Sequence, residues 1–153
     1  MDLIASLNLK PHPEGGYYHE YYKATDIAHT LRGMQYTATS MWFLLTMGDV
    51  LNFHKLENDE IWYWHEGGAA LIHMIRADGS YECVRVGPPP HGSTYVCVIE
   101  AGTWYGVELE GTHVLLSAMV APGFDFEDFT VADRDELQIA YPEHEDLIER
   151  LSY

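Results

Sequence analysis

Between Gly48 and Gly67 the chain carries a spaced set of residues able to do acid–base chemistry. His54 follows Gly48 after five residues, Glu60 follows His54 after five more, and Gly67 closes the stretch after six. On an extended strand successive side chains alternate faces, so His54 shares a face with Leu56, and Glu60 shares one with Trp62 and Trp64. A short turn at Glu57-Asn58-Asp59 lets both sets look into one pocket, apolar apart from a buried carboxylate. Such a charge must be paired or its pKa rises. Beside His54, Glu60 is expected to raise the imidazole pKa and fix its tautomer, an arrangement suited to a general base or acid near neutral pH. Ile61, Tyr63 and His65 point the other way.

The elements that must position this set read as strands. Short apolar and β-branched runs arrive at 16–23, 37–47, 49–56, 60–66, 69–76, 80–86, 94–100, 103–109 and 113–121. Turn chemistry separates them at Pro11 to Gly16, Asp78-Gly79, Pro88-Pro89-Pro90 and Glu110-Gly111. About nine such strands argue for an antiparallel sandwich or barrel. Leu3, Ile4 and Leu7 suit one short N-terminal helix. Beyond Pro122 the texture changes, and 133–141 and 142–151 read as two short helices, with Asp133 as a cap and Pro142 in a first turn.

A chain of 153 residues points to one domain, here a barrel over about 16–121 and a helical tail over about 122–153. Eight Lys plus Arg against 24 Asp plus Glu leave a net charge of −16, which excludes a broad nucleic-acid surface and disfavours anionic membranes. Ten acids and two bases fall between residues 121 and 153, half of that net charge, and read as a solvated helical face. No apolar run approaches a membrane span, and residues 1–9 lack the basic start of a secretory signal. Cys83 and Cys97 are expected reduced and buried, and the protein is expected in the cytoplasm. Nine His invite a metal site, so their positions matter more than their count. No Gly-x-Ser-x-Gly, phosphate-binding glycine loop or catalytic Cys setting is present.

The spacing of Gly48, His54, Glu60 and Gly67 resembles the first motif of the cupin superfamily, and 100–105 (Glu-Ala-Gly-Thr-Trp-Tyr) resembles the second. More narrowly, His12-Pro13-Glu14-Gly15-Gly16-Tyr17-Tyr18, Asp59-Glu60-Ile61-Trp62, Gly102-Thr103-Trp104 and the run from Ala121 to Phe129 are similar to the DUF985, or cupin-5, subfamily. These blocks fall in the family's order from about residue 6 to 151. The resemblance implies an all-β double-stranded β-helix, a cupin jelly-roll barrel, often dimeric, in a family of unestablished activity.

Metal-binding cupins use three His and one Glu. The resemblance places His54 and Glu60 at two of those positions, but Leu56 and Tyr105 at the other two. Two ligands fall short of the three a catalytic metal usually keeps, so no cofactor is expected, with a divalent metal on His54 and Glu60 as the alternative. Without metal, His54 would be the base, Glu60 its partner and Tyr105 a phenolic acid, with Trp62, Trp64 and Trp104 stacking on a sugar ring or another flat face. His12 and Glu14 face either the pocket or a subunit interface. Three functions remain open: a metal-independent isomerase or epimerase of a small polar, carbohydrate-like compound; a metal-dependent oxygenase or decarboxylase; or a small-molecule binding protein without chemistry. A homodimer is expected, with the tyrosines of 16–22 at an added strand.

Overall fold

The structure, a computed structural model, describes residues 2–89 and 92–153. Helix α1 (Leu3–Ser6) is capped by Asp2, whose carboxylate accepts from the Ile4 and Ala5 N–H groups. Strands β1 (Lys10–Pro11) and β2 (Tyr17–Lys23) follow, then β3 (Ile27–Thr30) and β4 (Gly33–Tyr36), β5 (Thr39–Thr46), β6 (Val50–Leu56), β7 (Asp59–Ile75), β8 (Tyr81–Val86), β9 (Val96–Ile99) and β10 (Trp104–Ala121). A 3-10 turn at Phe126–Asp128 leads into β11 (Phe129–Val131), α2 (Arg134–Ala140), a second 3-10 turn at Pro142–His144 and α3 (Glu145–Arg150).

β7 and β10 organise the barrel. They run antiparallel for almost their full length, from Trp104 opposite Ile75 to Ala121 opposite Asp59. The first part of β7 also pairs with β9 and the last part with β8. β10 likewise carries β5 along one half and β6 along the other. Each long strand therefore serves both faces of a curled jelly roll, the double-stranded β-helix expected from the sequence. The bend depends on glycine: Gly67 has φ +95°, and a Cβ on Gly68 would sit 2.0 Å from the Glu110 carbonyl oxygen. This continuity corrects the sequence reading, in which 60–66 and 69–76, and likewise 103–109 and 113–121, are separate strands.

Inside, Phe43, Leu45, Leu51, Trp62, Ile72, Val107 and Leu116 are fully buried in the main core. A second cluster of Phe53, Ile75, Leu137, Ile148 and Leu151 docks the C-terminal helices. Arg150 adds an ion pair to Glu108, which also holds His73 at 2.8 Å. Asp133 caps α2 by accepting from the Glu136 N–H, as its position suggests.

The β3–β4 hairpin and strand β11 escape the sequence reading; β11 shows that the tail also extends the sheet by pairing with β6. A buried polar network fixes both segments. Arg32 and Gln35 of the hairpin hold the Asp128 carboxylate, and Arg32 also reaches Asn58. Asn58 in turn donates to the carbonyls of Pro122 and Gly123. The two cysteines are free, and Cys97 is buried, but Cys83 is exposed because it sits on the outer face of β8. The turn at 88–90 is described only to Pro89, and His91 lies outside the described residues. No described helix is long and apolar enough to cross a membrane.

The turn from Pro11 to Gly16 lies against β6. A Cβ on Gly15, at φ +111°, would meet the Val50 carbonyl oxygen at 1.9 Å. Gly15→Ala is expected to cost on the order of 2–4 kcal/mol in urea unfolding, since both the approach and the dihedral exclude a side chain. A loss below about 0.5 kcal/mol, the range of neutral surface changes, would show that the turn is not held there.

Candidate functional site

The barrel encloses a cavity with about 40 Å³ of free volume, lined by His12, His54, Glu60, Trp62 and Tyr105 among mostly apolar walls. That free space, left after the radius of a water is allowed for at every wall, suits a ligand of a few heavy atoms. Phe43 and Leu51 close the wall, while Phe124, Phe126 and Phe129 line it from the tail side.

Glu60 is the buried charge that the sequence anticipates, but its partners differ. It lies on β7 opposite Val120, two residues before Trp62, which pairs with Ala118. The Trp62 indole N–H donates to Glu60 Oε1 at 3.0 Å, and the Tyr105 hydroxyl donates to the same oxygen. Oε2 is left to the cavity. Burial pushes the Glu60 pKa up to about 7, against the two hydrogen bonds, which favour the ionised form. Tyr105 keeps its proton well above the ordinary range because it is buried beside that carboxyl.

His54 does not pair with Glu60. Its Nδ1 lies 2.7 Å from the Asn52 carbonyl, which can only accept, so Nδ1 carries the proton and Nε2 is the free lone pair. Its ring packs 4.2 Å from that of Tyr105 and 5.1 Å from that of Phe129. The expected rise in its pKa is therefore overturned: burial drives it down to about 3, with the backbone carbonyl opposing and His12 adding to the fall. An imidazole so hard to protonate is an acceptor more than a base.

His12 lines the cavity, the first of its two expected places. Its Nδ1 accepts the Glu14 backbone N–H at 3.0 Å, so the proton resides on Nε2. Burial lowers its pKa to about 4. Glu14 does not line the cavity. Its N–H orients His12 and its carbonyl accepts from Asn52, while its carboxylate is buried near Tyr153 with a pKa raised by burial.

Two of the three expected stacking tryptophans are elsewhere. Trp104 precedes Tyr105 on one strand, so alternation turns it outward, where it packs with the second core cluster under Lys55. Trp64 shares the face of Trp62 but lies further along the barrel, its indole donating to the Gly68 carbonyl at 2.9 Å. Trp62 lines the cavity as a holder of Glu60, fully buried and edge-on to Phe43. The sequence reading missed Phe43, Phe124, Phe126 and Phe129. The aromatic spacing Phe124-x-Phe126-x-x-Phe129 was the available signal, hidden inside an acidic tail.

The donor set does not fit a cupin metal centre. Leu56 replaces one ligand, and the Tyr105 hydroxyl at another position spends its proton on Glu60. Among the described residues, no three His, Cys, Asp or Glu side chains are grouped to hold an ion.

The barrel is that of a cupin. The family model described as "Cupin superfamily (DUF985)" matches residues 1–132, and the chain belongs to that family. Two solved structures are similar over nearly the whole chain. A hypothetical protein from Leishmania major is 30% identical, with 98% of this chain and 96% of that one covered at a TM-score of 0.93. Protein SO0799 from Shewanella oneidensis is 32% identical, with 99% and 96% covered at 0.92. Oxalate decarboxylase from Bacillus subtilis shares the fold at 14% identity and a TM-score of 0.60, with 92% of this chain but 36% of the enzyme covered. No curated protein matches the sequence.

The Glu60 shift has a consequence for stability. Its pKa is raised on folding from 4.5 to about 7, so the folded state keeps a proton that the unfolded chain loses across that window. Stability from this group is full below about 4.5, declines as pH rises to about 7, and is level above. The histidines act oppositely, costing stability as pH falls from 6.5 towards about 4 for His12 and about 3 for His54. Between pH 5 and 8, Glu60→Gln is expected to gain on the wild type by on the order of 2–3 kcal/mol in urea unfolding. Parallel stability curves for the two proteins would contradict a raised Glu60 pKa.

Proposed function

We propose that the cavity binds a small carbonyl compound and that Glu60 moves a proton on the carbon next to the carbonyl, a metal-independent isomerase or epimerase step. The observation that supports this reading is the state of Glu60: an enclosed carboxyl near 7, one oxygen held by two donors and the other left for a ligand. A base whose pKa lies near working pH combines ionised population with proton-transfer driving force. Oε2 takes the proton from carbon, the electron pair moves onto the carbonyl oxygen as an enolate, and the proton returns to the same carbon; in an α-hydroxy carbonyl the hydroxyl proton passes to the former carbonyl oxygen, and the carbon proton returns to the neighbouring carbon instead. Tyr105 and Trp62 hold Oε1 throughout and favour the ionised base.

The base is then Glu60 and not His54. The limited free space favours a substrate of a few heavy atoms. A binding protein without turnover is the second reading, favoured by the fact that Glu60 already has two protein partners. Incubation with hydroxyacetone in heavy water separates the two. The wild type is expected to exchange the C–H next to the carbonyl at least ~100-fold faster than Glu60→Gln, with a rate that rises with pH and levels above about 7. Equal rates in both proteins would leave binding alone.

A homodimer is proposed through the outer face of β9, β7, β10 and β5. There Val98, Ile61, Met119 and Ser40 form one cross-strand row, and Val96, Tyr63, Ser117 and Trp42 the next. None is charged, although the chain carries −16, and two such acidic bodies repel unless they meet on a neutral surface. Val98 is 56% exposed, and Tyr21, from the segment expected at the interface, packs its ring 4.9 Å from Trp42 at the edge of this face. Sedimentation should give a dimer for the wild type and a monomer for Val98→Glu. A wild-type monomer at micromolar concentration would refute the interface.

A further inference from the structure

The two imidazoles in the cavity are held in opposite tautomers, and in each case the backbone chooses. The Glu14 N–H donates to His12 Nδ1 and leaves Nε2–H as that ring's donor. The Asn52 carbonyl takes the proton of His54 Nδ1 and leaves Nε2 as that ring's acceptor. Both rings line the same cavity and both pack against Phe129, with centroids 6.4 and 5.1 Å away. A donor and an acceptor fixed in this way form a complementary pair that a ligand must match, since an unmatched buried polar group costs about 1–3 kcal/mol.

The lining also limits charge. Among the described residues it contains no Lys or Arg, and its one carboxyl besides Glu60 is that of Glu20. An anion would meet two carboxyl groups and no cation. A cation would be drawn by Glu60 and Glu20, but it brings donors alone, leaves the His12 Nε2–H without an acceptor and loses its hydration among largely apolar walls. Resting on the reading of this cavity as the ligand site, we infer that it selects an uncharged compound whose small polar head carries both an acceptor and a donor, as a primary amide or an α-hydroxy carbonyl does: His12 Nε2–H binds the acceptor and His54 Nε2 binds the donor. His12 and His54 are then specificity residues. Anionic substrates such as a small dicarboxylate are rejected by the absence of a counter-charge, and ketones without a donor by the unpaired His54 nitrogen.

Four probes of nearly equal size test this: acetamide, acetate, acetone and methylammonium, titrated at pH 7 into the full chain with 15N-labelled histidine. Acetamide is expected to move the Nε2 resonances of both His12 and His54, and to bind at least ~10-fold more tightly than the other three, the equivalent of about one lost buried hydrogen bond. The same titration on Glu60→Gln removes repulsion by the Glu60 charge, and the preference for acetamide over acetate should persist there. Acetate or methylammonium binding as tightly as acetamide would overturn the inference, as would acetamide leaving both resonances unmoved. Acetone equalling acetamide would overturn the part assigned to His54. Because Glu60→Gln lacks the proposed base, this preference and the deuterium exchange can fail separately. Loss of exchange with the preference intact removes proton transfer and keeps the recognition.

Discussion

One carboxyl group organises the interior of this barrel. Glu60 is enclosed, and a full charge there would be prohibitive without donors. Trp62 and Tyr105 supply them, both to Oε1, from two adjacent strands in the β7–β10 ladder. The register of that ladder is therefore chemically constrained as well as sterically constrained. A slip of one residue would turn Tyr105 outward and bring Trp104 in, and Glu60 would lose the phenol that favours its charge. The balance between burial and these two bonds is what leaves the group near neutrality instead of locked in one state.

The surrounding chain secures the other polar groups by backbone, with few side chains spent. The turn pressed against β6 through Gly15 places the Glu14 N–H on His12. The next contact along, Asn52 N–H to the Glu14 carbonyl, joins that turn to the strand whose Asn52 carbonyl orients His54. One short junction thus sets two tautomers. On the tail side, Asp128 with Arg32 and Gln35 anchors the segment that brings Phe124, Phe126 and Phe129 to the cavity.

Much of the architecture was legible in the sequence, because alternation and turn residues report directly on strands. The spacing of His54 and Glu60 correctly brought both to one cavity. Their pairing was not legible: which oxygen meets which donor depends on cross-strand register, and Tyr105 reaches Glu60 from 45 residues away. The placing of Trp104 could have been read, since neighbours on a strand cannot share a face. The merging of strands could not, because Glu110-Gly111 has the same composition in a turn as at a bend within a continuous ladder. The hairpin 27–36 was hidden by its shortness and its largely exposed residues, which leave little apolar pattern. Nine histidines suggested metal by count, yet among the described residues only His12 and His54 line the cavity, and each has a ring nitrogen committed to the backbone.

The central claim is that burial, opposed by two donors on one oxygen, holds the Glu60 carboxyl near neutrality. The direct measurement is a 13C NMR titration of the side-chain carboxyl carbon of Glu60 in the intact protein. The account predicts a midpoint at about 7. A midpoint below about 5, in the ordinary carboxylate range, would contradict it.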